Sequence, residues 1–281
     1  MPSTRPSEAE RRLPALGLIN TGLWLFCLAV VLVPLGTVAL DGLASGRLGE
    51  LAQPEVATAA WNSLSSAVLS GALAVLLALA LVVAIEHTRL PGRTALRILA
   101  LSPLLIPPFI GAISWIGLFG PSGLVTSAAE ELIGRPIWTI YGGDGVILLL
   151  ALHSYPIAYL LLTAALARIP AELEEAARAS GAGSRRALVH ITLPLLRPAL
   201  VSSFILVTVS NLADFGIPAL VGAPQRYETL ATIAYRFVRS GTVENPVELA
   251  ACVGVVLLIM VALGMLLIRR SSRTPLLPGA L

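Results

Sequence analysis

Glu175 to Pro194 reads EAARASGAGSRRALVHITLP, a polar stretch set between long apolar runs. Its fixed points are Glu175, Ala176 and Ala177, then three residues to Gly181, nine more to Ile191, and one more to Leu193 and Pro194. Upstream, Pro170 is suited to opening a helix. Glu172, Glu174 and Glu175 crowd the first turns, where the positive end of the helix dipole favours carboxylates. Leu173, Ala176, Ala177 and Ser180 form one face of mostly small residues. Gly181 supplies the left-handed stop that ends helices. Ser184 can cap a second short helix running to His190, and Thr192, Leu193 and Pro194 are expected to break it and lead back to an apolar run. Residues 168–198 therefore read as a helix–turn–helix knob. Its small Ala side chains let another surface come close to the backbone, and Glu175 offers a carboxylate to a basic partner.

What surrounds this knob is decided by composition. Hydrophobic residues make up 56% of the 281 and charged residues only 12%, against about 25% charged in a soluble domain. Lipid is the solvent such a chain requires, and its length allows about six spans of ~20 residues with their loops. All 19 basic residues are Arg. Without Lys there is no Walker A phosphate loop and no lysine Schiff base, so ATP hydrolysis belongs to another polypeptide. Cys27 and Cys252 each sit inside an apolar run and read as small hydrophobes. His87, His153 and His190 lie far apart, so no metal site is expected, and no cofactor.

Six apolar runs are read at 15–40, 61–85, 98–119, 146–167, 199–221 and 249–268. The first is too long for a signal-peptide core and lacks a small-residue cleavage site. It is read as a true span with Pro14 in its first turn, where a missing N–H costs nothing. Residues 1–14 and 269–281 become tails. One set of connections holds Arg5, Arg11, Arg12, Arg89, Arg93, Arg97, Arg168, Arg178, Arg185, Arg186, Arg197, Arg269, Arg270 and Arg273. The alternate set holds only Arg47, Arg135, Arg226, Arg236 and Arg239. By the positive-inside bias, the richer set is cytoplasmic, with both termini inside and the 168–198 knob among it.

Two segments depart from a plain apolar helix. The third run carries Pro103, Pro107 and Pro108. Each proline removes a backbone donor and kinks a helix, which lipid tolerates only where neighbours or water satisfy the freed carbonyls. This span is expected against other helices or a pathway. In the outer loop 120–145, Leu124, Ala128, Leu132 and Ile133 can form one face of a short interfacial helix, with Trp138 and Tyr141 at headgroup level.

The knob and its flanks resemble the cytoplasmic loop of membrane subunits in binding-protein-dependent ABC importers. All seven fixed positions (Glu175, Ala176, Ala177, Gly181, Ile191, Leu193 and Pro194) are filled as that signature requires. The resemblance extends over about 58–268 and is closest to the branch serving ferric iron, polyamines and aminoethylphosphonate. It is carried by IYGGDGVILLLALHSYPIAYLLLTAAL at 140–166, IPAELEEAARASGAG at 169–183, TLPLLRPAL at 192–200 and ADFGIPALVG at 213–222. It implies an all-α polytopic membrane protein of the type I, MetI-like importer fold in the inner membrane of a bacterium. The implied partners are ABC ATPase subunits gripping the loop, an extracytoplasmic solute-binding protein, and a second permease subunit in a homodimer or heterodimer. Iron members of this branch are often fused chains of two such halves. Nucleic acid has no place in this reading.

Inside the apolar runs, Ser210, Asn211 and Asp214 in the fifth are candidate pathway residues. An ionisable group at membrane depth is costly enough to suggest function, so Asp214 either lines an outer vestibule or is a helix-end carboxylate bonded near Gly216 and Pro218. His153, with Tyr155 and Pro156, suggests helix packing. Arg226, Arg236 and Arg239 either meet a binding protein or are solvated. The competing class is an ion-gradient-driven transporter, which would want intramembrane charges and inverted repeats; the sequence offers one marginal carboxylate and no clear repeat. A membrane-embedded enzyme would need a nucleophilic, paired-carboxylate or metal constellation, and none is read; the chain is not an enzyme. Ferric iron is the first expectation for the cargo, with polyamine, aminoethylphosphonate, thiamine or sulfate behind it.

Overall fold

The structure, a computed structural model, describes residues 8–86, 88, 91–241 and 244–271. Among these residues the regular structure is entirely helical. In chain order the α-helices are α1 (Glu8–Ala44), α2 (Pro54–Glu86), α3 (Arg93–Leu101), α4 (Pro108–Phe119), α5 (Leu124–Ile133) and α6 (Gly143–Leu166). There follow α7 (Ala171–Ala179), α8 (Ser184–Ala187), α9 (Leu193–Leu212), α10 (Leu230–Arg239) and α11 (Pro246–Ser271). Among the described residues, six segments are long and apolar enough to cross a membrane: Ile19–Ala44, Pro54–Glu86, Pro108–Ile133, Gly143–Leu166, Ser184–Leu212 and Pro246–Leu266.

The centre of the bundle is α2 packed along α6 and α9. The buried face of α2 explains why: Ala59, Ser63, Ala67 and Gly71 recur every fourth residue, as do Ser66, Ser70, Ala74 and Ala78. Small residues at this spacing let helix backbones approach where lipid supplies no hydrophobic drive. At Gly71 the approach is so close that a Cβ would collide with Thr208 of α9. A second layer places α11 between α9, α10 and α1. There Gly264 lies against Val209, while a Cβ at Gly42 would stand 2.7 Å from Val255 Cγ2. Cys252 is buried at this seam and donates from Sγ to the Gly42 carbonyl at 3.2 Å, whereas Cys27 is exposed on α1.

The third crossing is not one helix. α3 passes into a 3₁₀ turn at Ser102–Leu105, Ile106 and Pro107 are extended, and α4 starts afresh at Pro108. α4 has 12 residues, about 18 Å of rise, too short alone for a ~30 Å hydrocarbon core. The prolines thus divide the span expected at 98–119 into jointed pieces. It is covered on one side only: Ala112 is buried while Phe109, Ile110 and Ile113 remain open.

The fifth crossing also differs from the run read at 199–221. It begins at Ser184 and ends at Leu212, and no break occurs at Thr192, Leu193 and Pro194. A π-helical turn at Leu188–Thr192 joins α8 directly to α9. The wider turn accommodates Pro194, whose ring and missing N–H an ordinary α-turn would not tolerate. Past Leu212 the chain bends at 213–215 and re-forms as a second π turn at Pro218–Gly222.

Smaller differences have equally local causes. Pro14 lies beyond the first turn, since residues 8–13 are already helical. Residues 8–14 and 269–271 continue helices, and the remainder of the two expected tails lies outside the described residues, as does His87. α5, expected in the outer loop, forms the second half of the Pro108–Ile133 segment, and its buried residues are Thr126 and Ala129. The face expected there points away from the bundle, with Leu132 85% exposed. Trp138 packs edge-on to Phe119 at 5.7 Å and donates Nε1–H to Asp144. Arg236 on α10 bridges Glu55 and Glu228, and is an internal tie between α10 and α2.

Candidate functional site

The loop between α6 and the fifth crossing projects from one end of the bundle, here termed the loop end. α7 starts after Pro170, which acts as its N-cap, and carries Glu172 and Glu174 in its first turn. It stops at Gly181, whose φ is +86°. The Ala182 N–H reaches back to the Ala177 carbonyl at 3.0 Å, the 6→1 bond of a Schellman cap. α8 then begins at Ser184, with Gly183 and not Ser184 as its N-cap.

The motif residues divide between two tasks. Glu175, Ala176, Arg178 and Gly181 are exposed, with Ala177 half-buried, so the first half of the motif forms an open surface. Ile191, Leu193 and Pro194 are half-buried and root the second half in the π turn and the first turn of α9. The tie between the halves comes from two residues to which sequence reasoning gave other roles, Glu174 at the helix dipole and Thr192 at an expected break. Thr192 is buried and donates its hydroxyl to the Glu174 carboxylate, pinning α7 to the π turn. The signal was available: Thr192 is the residue between Ile191 and Leu193, and Glu174 adjoins the motif glutamate. A hydrogen bond to a charged group contributes about 1.5–3 kcal/mol, and each 1.4 kcal/mol is tenfold in an equilibrium. Thr192→Val is therefore expected to quicken amide hydrogen exchange across 171–180 by at least about tenfold, leaving α2 and α6 unchanged.

The intramembrane candidates separate in space. Ser210 is exposed on α9. Asn211, the next residue round the helix, turns inward and is 6% exposed. Its Nδ2 donates to Ser70 Oγ on α2 at 2.8 Å and to Ser154 Oγ on α6 at 3.2 Å. This places Asn211 as the polar pin of the three central helices, away from the open face that holds Ser210. Asp214 is half-buried at the bend after α9, and its Oδ1 accepts the Ile217 N–H at 3.0 Å, capping the turn that follows. Losing such a cap costs about 0.5–2 kcal/mol. Asp214→Ala is expected to melt earlier in detergent, while Asp214→Asn keeps an accepting oxygen and melts with the parent. His153 lines a cavity of about 240 Å³ together with Pro103, Ile106, Trp115 and Ile217, between the jointed third crossing and α6.

Among known proteins, residues 78–274 match the family model described as binding-protein-dependent transport system inner membrane component. The ferric transport system permease protein FbpB of Actinobacillus pleuropneumoniae is 32% identical over 158 residues, covering 55% of this chain and 23% of that protein. The putative molybdenum transport system permease protein YvgM of Bacillus subtilis is 28% identical over 152 residues, covering 53% of this chain and 66% of the relative. The match thus spans about a quarter of the length of the ferric relatives. In fold, the chain is similar to one in the crystal structure of a bacterial alginate ABC transporter with its alginate-bound periplasmic protein. The TM-score is 0.74 at 19% identity, over 95% of both chains. A chain of the MetNI methionine ABC transporter aligns with TM-score 0.57 at 22% identity, over 76% of this chain and 94% of that one. The family match covers well over half of the sequence and includes the whole loop with its seven motif positions, so this chain is a multi-pass membrane protein that belongs to the family of inner membrane components of binding-protein-dependent transport systems.

Proposed function

We propose that the chain is a permease subunit of an ATP-driven importer in a bacterial inner membrane, with the loop 168–198 on the cytoplasmic side as the docking site for a separate ATPase. The observation that carries this reading is the loop itself. It is an exposed helix stopped at Gly181, with Glu175 and Ala176 on its open side and its root continuous with a membrane crossing. The arginine distribution supports the same orientation, with both termini inside. Without lysine the chain holds no phosphate loop, so nucleotide is hydrolysed by the partner. The core of the permease runs over about 58–268. An extracytoplasmic binding protein delivers the solute at the far end. A second permease, identical or related, covers the open faces of α4 and α9, on which Phe109, Ile110, Ile113 and Ser210 stand exposed. The pathway runs between the two subunits, with Ser210 facing it and Asp214 framing its outer end.

Ferric iron is the proposed cargo. Its support is the 32% identity to two ferric permeases, against 27–30% for the molybdenum and thiamine permeases. The test reconstitutes the chain in proteoliposomes with its ATPase and binding protein and follows uptake of labelled ferric iron, molybdate and thiamine. ATP-dependent iron uptake is expected, with Asp214→Asn at the parent rate. Uptake of another solute under the same conditions would replace iron while keeping the importer reading. Labelling of Ala179→Cys by an impermeant reagent only from outside intact cells would place the loop on the wrong face and end the reading.

A further inference from the structure

At the loop end of the bundle a single carboxylate joins three segments. Glu86 is the last residue of α2, and its side chain is only 5% exposed. Tyr159 of α6 donates its hydroxyl to Glu86 Oε1 at 2.7 Å. Arg97 of α3 donates Nε–H to the same oxygen at 2.7 Å and a second N–H to Oε2. Arg93, at the start of α3, donates to Oε2 and also to the Glu86 backbone carbonyl, the latter at 2.9 Å. Ile85, Ala100, Ala158 and Leu162 pack in the same apolar cluster, so the polar junction is walled by side chains of the three helices it ties.

What makes this more than a staple is where the hinges lie. Tyr159 stands three residues beyond Pro156, which interrupts the backbone ladder inside α6 and removes a bond that would hold the two halves of that helix rigid. From Tyr159 to Leu166, about 10 Å of helix, the lower limb of α6 leads straight into the loop that carries Glu175 and Gly181. α3 is likewise a limb, separated from α4 by the 3₁₀ turn and the prolines at 103, 107 and 108. The junction thus fastens two lower limbs to each other while each stays jointed to its own outer half. A buried charge that loses one partner is left uncompensated, so the limbs are held together as a unit.

We propose that Glu86 is a positioning residue that carries displacement of the loop, through the lower limb of α6, into α3 and the jointed third crossing. This rests on the importer reading above. The full complex with its ATPase is reconstituted after Cys27→Ser and Cys252→Ser, with spin labels at Ile113→Cys on α4 and Ala179→Cys on α7. In the otherwise unmodified chain, trapping with ATP and vanadate is expected to shift the distance between the labels. Glu86→Gln is expected to abolish that shift, and Tyr159→Phe to reduce it at least twofold, while ATPase capture and basal hydrolysis stay within twofold of the parent. Should Glu86→Gln fail to insert, Tyr159→Phe decides alone. A full shift in every variant that inserts, or loss of ATPase capture in step with the shift, overturns the proposal by leaving the junction a structural tie. An unmodified chain that captures no ATPase brings down the importer reading instead, and the proposal with it.

Discussion

Gly145→Ala is expected to prevent accumulation of folded protein. A Cβ at Gly145 would collide with the backbone carbonyl of Ile140 and stand 3.1 Å from Val221 Cγ1. The obstacle is main chain, which cannot swing aside as a side chain tip can. The chain curls tightly here: the Ile140 N–H bonds the Phe119 carbonyl at 3.1 Å, and Gly142, with φ +113°, sends its N–H to the Val221 carbonyl at 2.9 Å. These bonds fix the far ends of α4, α6 and the 216–222 segment against one another. Overpacking a buried site costs about 1–3 kcal/mol even where neighbours can yield, and this site has less room to yield than that. Yield of monodisperse protein in detergent and its melting temperature check the outcome, and a variant that purifies and melts like the parent contradicts this packing. The control is Gly117→Ala on α4, where nothing lies within 4 Å and no loss is expected.

The second large effect falls on coupling, with folding spared. At Gly181 the backbone is left-handed, yet a Cβ would meet nothing within 4 Å. The penalty is therefore conformational, about 1–2 kcal/mol for an ordinary L-residue and worst for a β-branched one. A rigid core would bear that strain, but an exposed loop relieves it by unwinding the cap, and the Glu175 face then turns away from the ATPase proposed to dock there. Gly181→Val is expected to reduce ATP-dependent uptake at least tenfold while inserting normally. Gly181→Asn, which tolerates this conformation, should retain most of it. Gly183→Ala, at φ −68° and equally uncrowded, should be silent. Uptake and ATPase capture measured across the three variants test the order; equal activity in all of them would detach the glycine from coupling.

The two cases show what could and could not be read from sequence. Apolar runs announce themselves by composition, so six crossings and an all-helical membrane protein were legible. Gly181 was legible as well, since an exposed helix stop depends on local chemistry. The joints were harder. Pro103, Pro107 and Pro108 foretold a disturbance, but its form, a helix restarted at Pro108, depends on how neighbours fill the gap. Pro194 misled in the other direction: a proline after a short helix reads as a break, and the π turn at Leu188–Thr192 removes the need for one. Polar residues inside apolar runs were found but not oriented. Ser210 and Asn211 are adjacent in sequence, yet one is open and the other pins three helices, a distinction set by the register of α9 against α2 and α6. Glu86 escaped notice because its partners lie 7, 11 and 73 residues away, and only the fold brings them to one oxygen pair.

The π turn has a mechanical consequence. Because it unites α8 with α9, the 29 residues from Ser184 to Leu212 form one shaft about 44 Å long. A push on Arg185 and Arg186 would pass Pro194 without a break to absorb it and meet its first weakened rung only at Pro198, inside α9.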